Sequence, residues 1–187
     1  MSVTLDPSTV QRVLEDWEKH PMKKPRIAKV TVNISLGYSG ERLRKAAEFL
    51  EKITGQKPVY KKAKRTIRAF GVRKGENIAV MVTLRGERAI KFLEKALEAV
   101  AWRLKRSSID RHGNVGFGIE EHISIPGVRY DPELGILGLD VVITIERPGY
   151  RIVRRRRQRR RRIPTRHRVT PEETMVLLNQ LLNVRWV

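Results

Sequence analysis

The spacing of apolar residues changes repeatedly along this chain, and each change predicts an element. Val10, Val13, Leu14 and Trp17 recur at helical spacing behind Asp6-Pro7, an N-cap with proline at the first helical position, so a short amphipathic helix opens the pattern. "HPMKKP" ends it, because two prolines remove donors and bias their neighbours away from helix. In "RIAKVTVNISLG" the period becomes two: Val30, Val32, Ile34 and Leu36 face one way, Lys29, Thr31, Asn33 and Ser35 the other. "ERLRKAAEFLEKITG" returns to helical spacing, with Leu43, Ala46, Ala47, Leu50 and Ile53 on one stripe and Gly55 as the stop. "ENIAVMVTLRG" alternates again, Ile78, Val80, Val82 and Leu84 inward against Ala79, Met81, Thr83 and Arg85. "GERAIKFLEKALEAVAWRLKR" predicts a second long helix with Ile90, Leu93, Leu97, Val100, Ala101 and Leu104 in register. "GNVGFG" reads as a flexible loop, and "GIEEHISI" and "LDVVITIER" as strands around a Gly/Pro-rich connection. "TPEETMVLLNQLLNV" closes the chain as a helix capped by Thr170, with Pro171, Glu172 and Glu173 in its first turn.

Two-faced alternation, rather than continuous apolar runs, marks strands buried on one side only. The expected fold is therefore α+β: a largely antiparallel sheet with helices packed on one face, in a single domain with a basic extension. Its divisions are expected at 1–149 for the α+β domain, 150–169 for an arginine-rich insertion and 170–187 for a C-terminal helix packing back. The opposite sheet face is left polar.

Composition alters this picture through charge. The 187 residues carry 40 Lys and Arg against 20 Asp and Glu, a formal charge of +20, which calls for a polyanionic partner. From Lys57 to Lys74 there are eight basic residues and no acid, and from Arg151 to Arg168 eleven arginines and no acid. These stretches hold 19 of the 40 basic residues, leaving 21 against 20 acids elsewhere. The body is near neutral and carries two basic organs. No cysteine is present, which excludes disulfides, zinc-thiolate sites and thiol catalysis, and no apolar run suits a membrane span or a secretory signal. A soluble intracellular protein without cofactor or metal is expected.

Enzyme chemistry finds little support. His20, His112, His122 and His167 are scattered, and "EEH" at Glu120 to His122 reads more readily as structural than as an acid/base cluster. Neither dinucleotide nor phosphate-loop spacing occurs in "GNVGFG". Folded RNA, by contrast, is read through shape, phosphates and 2′-hydroxyls, which suits a broad polar face with basic neighbours. Thr31, Asn33, Ser35, Thr83 and Arg85 offer short donors and acceptors and Lys29 a phosphate contact, although such a face can also be merely solvated. "AFGVRKGEN" reads as a loop tip projecting Arg73 and Lys74 between Gly71 and Gly75, suited to a second RNA, or as an ordinary charged hairpin. A DNA-compacting protein and an RNA-processing enzyme remain alternatives; the polar strand face opposes the first, and the missing base or metal cluster the second.

Five words in order, "PRIAKVTVNISLG", "ITGQKP", "KKAKRTIRAFGVRKGENIAVMVTLRGER", "RHGNVGFGIEEHISIPG" and "GLDVVITIERPG", resemble the universal large-subunit ribosomal protein family numbered five in bacteria and archaea and eleven in eukaryotes. They span most of Pro25 to Gly149. The resemblance implies a non-enzymatic part of the central protuberance that binds 5S rRNA. It places the 5S contact on Lys29, Thr31, Asn33, Gln56, Lys57, Thr83 and Arg85. The loop touching the P-site tRNA elbow falls on Ala69 to Asn77, with Arg68 immediately before it and Gly71, Arg73, Lys74 and Gly75 within it as the contact residues. The region from His112 to Pro126 resembles the part that faces a small-subunit head protein across an intersubunit bridge. "RPG" and "HRVTPEE" resemble the archaeal and eukaryotic branch. Between them lies a denser arginine block, Arg154, Arg155, Arg156, Arg157, Arg159, Arg160, Arg161 and Arg162, expected to anchor on 23S-type large-subunit rRNA and to be unstructured until phosphates neutralise it.

Overall fold

In the computed structural model the described residues are 6–156 and 159–187, so Arg157 of the arginine block lies outside them. The element order is α1 (Pro7–Lys19), β1 (Arg26–Ser35), α2 (Glu41–Thr54), β2 (Val59–Lys62), β3 (Asn77–Leu84), α3 (Glu87–Ala99), β4 (Arg103–Leu104), β5 (Val115–Ile119), β6 (Leu139–Glu146), α4 (Arg151–Arg154), α5 (Pro171–Leu182) and β7 (Arg185–Trp186). Five strands form one antiparallel sheet in the order β2-β3-β1-β6-β5, the α+β class that the alternation predicts. The chain divides into two compact units: Lys29–Ala101 with Phe117–Val142, and Trp102–Gly116 with Ile143–Val187 and the described residues up to Ala28.

In the first unit, Val30, Val32 and Ile34 of β1 and Val80, Val82 and Leu84 of β3 are all buried. Leu43, Ala46, Ala47 and Leu50 of α2 supply the facing stripe, and α2 packs on β3. Gly55 ends α2 in the left-handed region at φ 65°, donating its N–H to the Glu51 carbonyl at 2.8 Å. β2 is a strand that alternation did not reveal; it pairs antiparallel with the outer edge of β3 and all four of its residues are exposed.

In the second unit, α5 is buried from Glu173 to Leu178 and packs against α1, whose Val13 and Trp17 face inward. Thr170 caps α5 in a full capping box: its hydroxyl accepts from the Glu173 N–H, and Glu173 Oε2 accepts from the Thr170 N–H at 2.9 Å. Asp6 precedes α1 as expected, but its carboxylate accepts from the Ser8 hydroxyl at 3.0 Å and makes no cap bond. β7 runs parallel to β4, and Trp186 donates its indole N–H to the Met175 carbonyl at 3.4 Å.

Three expectations need correction. The helix expected through Arg106 ends at Ala99, its buried stripe being Ala89, Phe92, Leu93, Ala96 and Leu97, while Ile90 is 41% exposed. Ala101 and Trp102 then take positive φ (54° and 60°), and Leu104 belongs to β4, where pairing with β7 outweighs helix propensity. "GNVGFG" is not a free loop, because β5 begins at Val115 and Gly113 is buried at φ 77°. The strand expected over "GIEEHISI" stops at Ile119, and His122–Ser124 forms a 3-10 turn with His122 wholly buried.

Candidate nucleic-acid interface

Directly opposed residues of an antiparallel pair share a face. Thr31 lies opposite Thr83, and Asn33 opposite Met81, which in turn lies opposite Val59 of β2. Thr31 and Thr83 are half-buried, and neither hydroxyl is hydrogen-bonded to the protein among the described residues, so both retain donor and acceptor capacity. Lys29 of β1 and Arg85, the residue just after β3, flank this pair. Gln56 donates its side-chain N–H to the Thr83 carbonyl at 3.2 Å, at the edge of β3 just beyond the start of β2, and this bond holds the exposed Lys57 at the same end.

The face is not uniform. Asn33, two residues further along, donates to Asp140 of β6 at 3.4 Å, beside half-buried Met81 and exposed Val59 and Val142. A carboxylate and apolar groups there leave the Thr31/Thr83 end as the part suited to phosphates and sugars. Six of the seven sequence-predicted residues gather at that end, and Asn33 has a neighbour that alternation could not show.

The stretch from Lys57 to Lys74 continues β2 into a closed hairpin. The Ala63 N–H donates to the Glu76 carbonyl at 2.8 Å, Gly75 donates to the Ala63 carbonyl at 2.9 Å, and Ile67 and Val72 form an antiparallel bridge. Arg68–Phe70 is a 3-10 turn at the apex, closed by Gly71 at φ 67°. Glu76 holds the base: its carboxylate accepts from the Ser39 hydroxyl at 2.7 Å and from the Arg73 N–H at 3.0 Å. The Ser39 bond, followed by that of Arg73, keeps the Glu76 carboxyl below the usual carboxylate range. Arg68, Arg73 and Lys74 are exposed, and so is Phe70, at 78%. Phe70 was not among the predicted contacts; an aromatic inside a basic loop was the available signal, since stacking platforms for bases are built that way.

The arginine segment is tied at both ends. His167 Nε2 lies 2.9 Å from the Pro148 carbonyl, and the Arg147 guanidinium donates to the Arg166 carbonyl at 3.4 Å. Arg147 is also ion-paired with Glu173 of the capping box, both side chains being buried. Within the segment, Arg154 pairs with buried Glu146, whereas Arg155, Arg156, Arg159, Arg160, Arg161 and Arg162 are exposed. The expectation of an unstructured insertion thus meets a loop with clamped ends and a helical turn, α4, at its start.

The region expected to face a small-subunit protein contributes to both units. Asp110 Oδ1 accepts from the His112 and Asn114 N–H groups at 2.7 and 2.9 Å. Burial alone would raise its pKa, but these bonds and that from the Asn114 side chain hold it below the usual value. Glu120 and Glu121 are exposed, while His122 Nδ1 accepts from the Leu137 N–H at 3.3 Å and its ring meets Phe49 edge-on at 4.8 Å. Burial lowers the His122 pKa. The three residues do not converge on an acid/base site.

The scaffold is α+β, and outside its near-neutral body the basic residues are gathered in a hairpin in the first unit and an arginine loop in the second, each tied at its base. Two family models match, Ribosomal protein L5 over residues 20–73 and the ribosomal L5P family C-terminus over residues 77–177. The large ribosomal subunit protein uL5 of Aeropyrum pernix is 70% identical over 186 residues, covering 100% of this chain and 97% of that protein. That of Sulfurisphaera tokodaii is 60% identical over 166 residues (88% and 93%), and that of Nanoarchaeum equitans 52% over 168 residues (89% and 98%). The chain belongs to the ribosomal protein L5 family, in its archaeal form.

Proposed function

We propose that this chain, by its family a non-enzymatic structural constituent of the large ribosomal subunit in the cytoplasm, binds 5S rRNA through the Thr31/Thr83 end of its sheet and so helps dock it in the central protuberance. The observation that carries this reading is the cross-strand pair Thr31/Thr83, two hydroxyls without protein partners, ringed by Lys29, Gln56, Lys57 and Arg85. Short hydroxyls reach ribose 2′-hydroxyls with little loss of rotamer entropy, and the cations hold the flanking phosphates. Asn33, whose amide donates to Asp140, borders this surface on its less basic side.

The hairpin bearing Arg68, Gly71, Arg73, Lys74 and Gly75 is proposed to touch the P-site tRNA elbow, with Phe70 available to stack. The region His112–Pro126 is assigned to a small-subunit head protein across an intersubunit bridge, and the arginine segment to 23S-type rRNA. The test is binding of the full-length protein to 5S rRNA, and to equal masses of tRNA and duplex DNA, across a salt series. Preference for 5S rRNA that survives high salt supports the sheet reading. Preference that vanishes with salt would make the protein a general polyanion binder.

A further inference from the structure

The second unit contains a cleft of about 520 Å3 between the end of β6 and the arginine segment. Its size falls within the roughly 300–1,000 Å3 of small-ligand sites. Ile145, Val153 and Ile163 make an apolar floor, and Tyr150, whose hydroxyl pKa burial raises, adds an aromatic wall. Arg154, Arg160, Arg162 and Arg168 surround that floor. Glu146 is the one carboxylate in the lining, and its charge is already taken by Arg154. Arg168 lies 3.5 Å from His112 Nδ1, a ring nitrogen rather than a carboxylate, and among the described residues Arg160 and Arg162 form no ion pair.

Guanidiniums without counter-charge over an apolar and aromatic floor match one ligand chemistry, an anionic group joined to a flat apolar ring. We propose that this cleft receives one unpaired, outward-turned nucleotide of an RNA strand, its phosphate on Arg160, Arg162 and Arg168 and its base against Tyr150 and the Ile145/Val153/Ile163 floor. The inference rests on the rRNA-binding reading and gives one fixed contact to a segment otherwise assigned to non-selective anchoring. Helical phosphates alone would leave the apolar floor unused, because paired bases are stacked inside a duplex. Guanidinium planes also stack on bases, so the same arginines suit both parts of the ligand.

The experiment titrates full-length protein, methyl-labelled at isoleucine and valine, with inorganic phosphate, ribose 5-phosphate and adenosine 5′-monophosphate. Base stacking contributes about 1–3 kcal/mol, so the nucleotide should bind about tenfold tighter than either phosphate compound, with methyl shifts centred on Ile145, Val153 and Ile163. Val153→Trp, which fills the cleft, should remove that advantage and leave phosphate binding unchanged. The exposed pair Arg160→Gln/Arg162→Gln, which touches no folding contact, should weaken all three ligands. Equal affinity for phosphate and nucleotide, or shifts confined to other methyls, would overturn the proposal. Loss of 5S selectivity with the nucleotide preference intact counts against the sheet reading alone, and the reverse pattern against this cleft alone.

Discussion

Changing Arg159, Arg160, Arg161 and Arg162 together to Gln separates affinity from selectivity. All four are exposed, and the substitution spares Arg154, which neutralises buried Glu146, and the Arg147, Arg166 and His167 contacts that clamp the segment. Each phosphate contact contributes roughly 0.7–0.9 to the slope of log K against log salt, and because Arg160 and Arg162 share one phosphate in the cleft proposed above, losing at most about three contacts should flatten that slope by about 2. Over a fourfold rise from about 50 to about 200 mM salt, the wild-type advantage should then shrink about 16-fold. Thr31→Val and Thr83→Val make the opposite comparison, since valine keeps the shape and strand propensity but removes a hydroxyl. A net hydrogen bond is worth about 1 kcal/mol, so each should cost about fivefold for 5S rRNA at every salt concentration and little for tRNA or DNA. Filter binding of the three variants reads both quantities. An unchanged slope in the four-glutamine variant, or an equal fall in 5S preference from both kinds of change, would refute the division of labour.

Other predictions concern the supports of these surfaces. Glu173→Gln leaves buried Arg147 without its counter-charge and should cost about 3 kcal/mol, some 6–12 °C in Tm, whereas Arg147→Met/Glu173→Leu together should recover most of the loss in thermal denaturation. Gly113→Ala places a Cβ 2.6 Å from Thr174 Oγ1 and 2.8 Å from Val169 Cγ1 at positive φ, and should destabilise by about 2 kcal/mol or more, while Gly116→Ala, in open space, should cost less than half of that in the same urea titration. Because burial depresses the His122 pKa, the neutral ring is favoured in the fold, so the stabilisation is complete above the unfolded value near 6.5 and is lost as pH falls towards the folded value. Imidazole resonances should accordingly show His122 still neutral at about pH 6.5, and half-protonation there would contradict the burial argument. Phe70→Ala should leave the melting temperature unchanged but weaken tRNA binding about tenfold if the ring stacks on a base, an effect absent for 5S rRNA.

Alternation carried the sheet because its strands are buried on one side only. Val30/Val32/Ile34 and Val80/Val82/Leu84 could be assigned inward, and Thr31 and Thr83 outward, without knowing that they oppose each other. β2 escaped because Val59, Tyr60, Lys61 and Lys62 are all exposed, and an edge strand held by backbone bonds leaves no apolar period. The end of α3 was misplaced because Val100, Ala101 and Leu104 continue a helical pattern; pairing of Leu104 with Trp186, far away in sequence, decides otherwise. Gly113 reads as a loop residue and His122 as a strand residue until the groups that enclose them, Val169 and Thr174 for the first and Phe49 and Leu137 for the second, are known. Asp140 beside Asn33 was hidden for the same reason, a contact across 107 positions.

The two basic organs share one construction. Each is a stretch without an internal acid whose base is fixed by a flanking carboxylate, Glu76 for the hairpin and Glu173, through Arg147, for the arginine segment. An acid within either stretch would pair with its neighbours and cancel the field that draws phosphates. An acid at the base does different work: it opposes the self-repulsion of the cations and fixes where the loop leaves the body, while the tip keeps its charge. Clamped ends also reduce the chain entropy still to be lost when RNA orders the segment, so more of the counterion-release free energy appears as affinity. In the proposed reading Glu173 therefore serves RNA binding together with the exposed arginines, acting through Arg147 without reaching the ligand. Its substitution should weaken anchoring at temperatures where the second unit is still folded, because the loop would be held at fewer points.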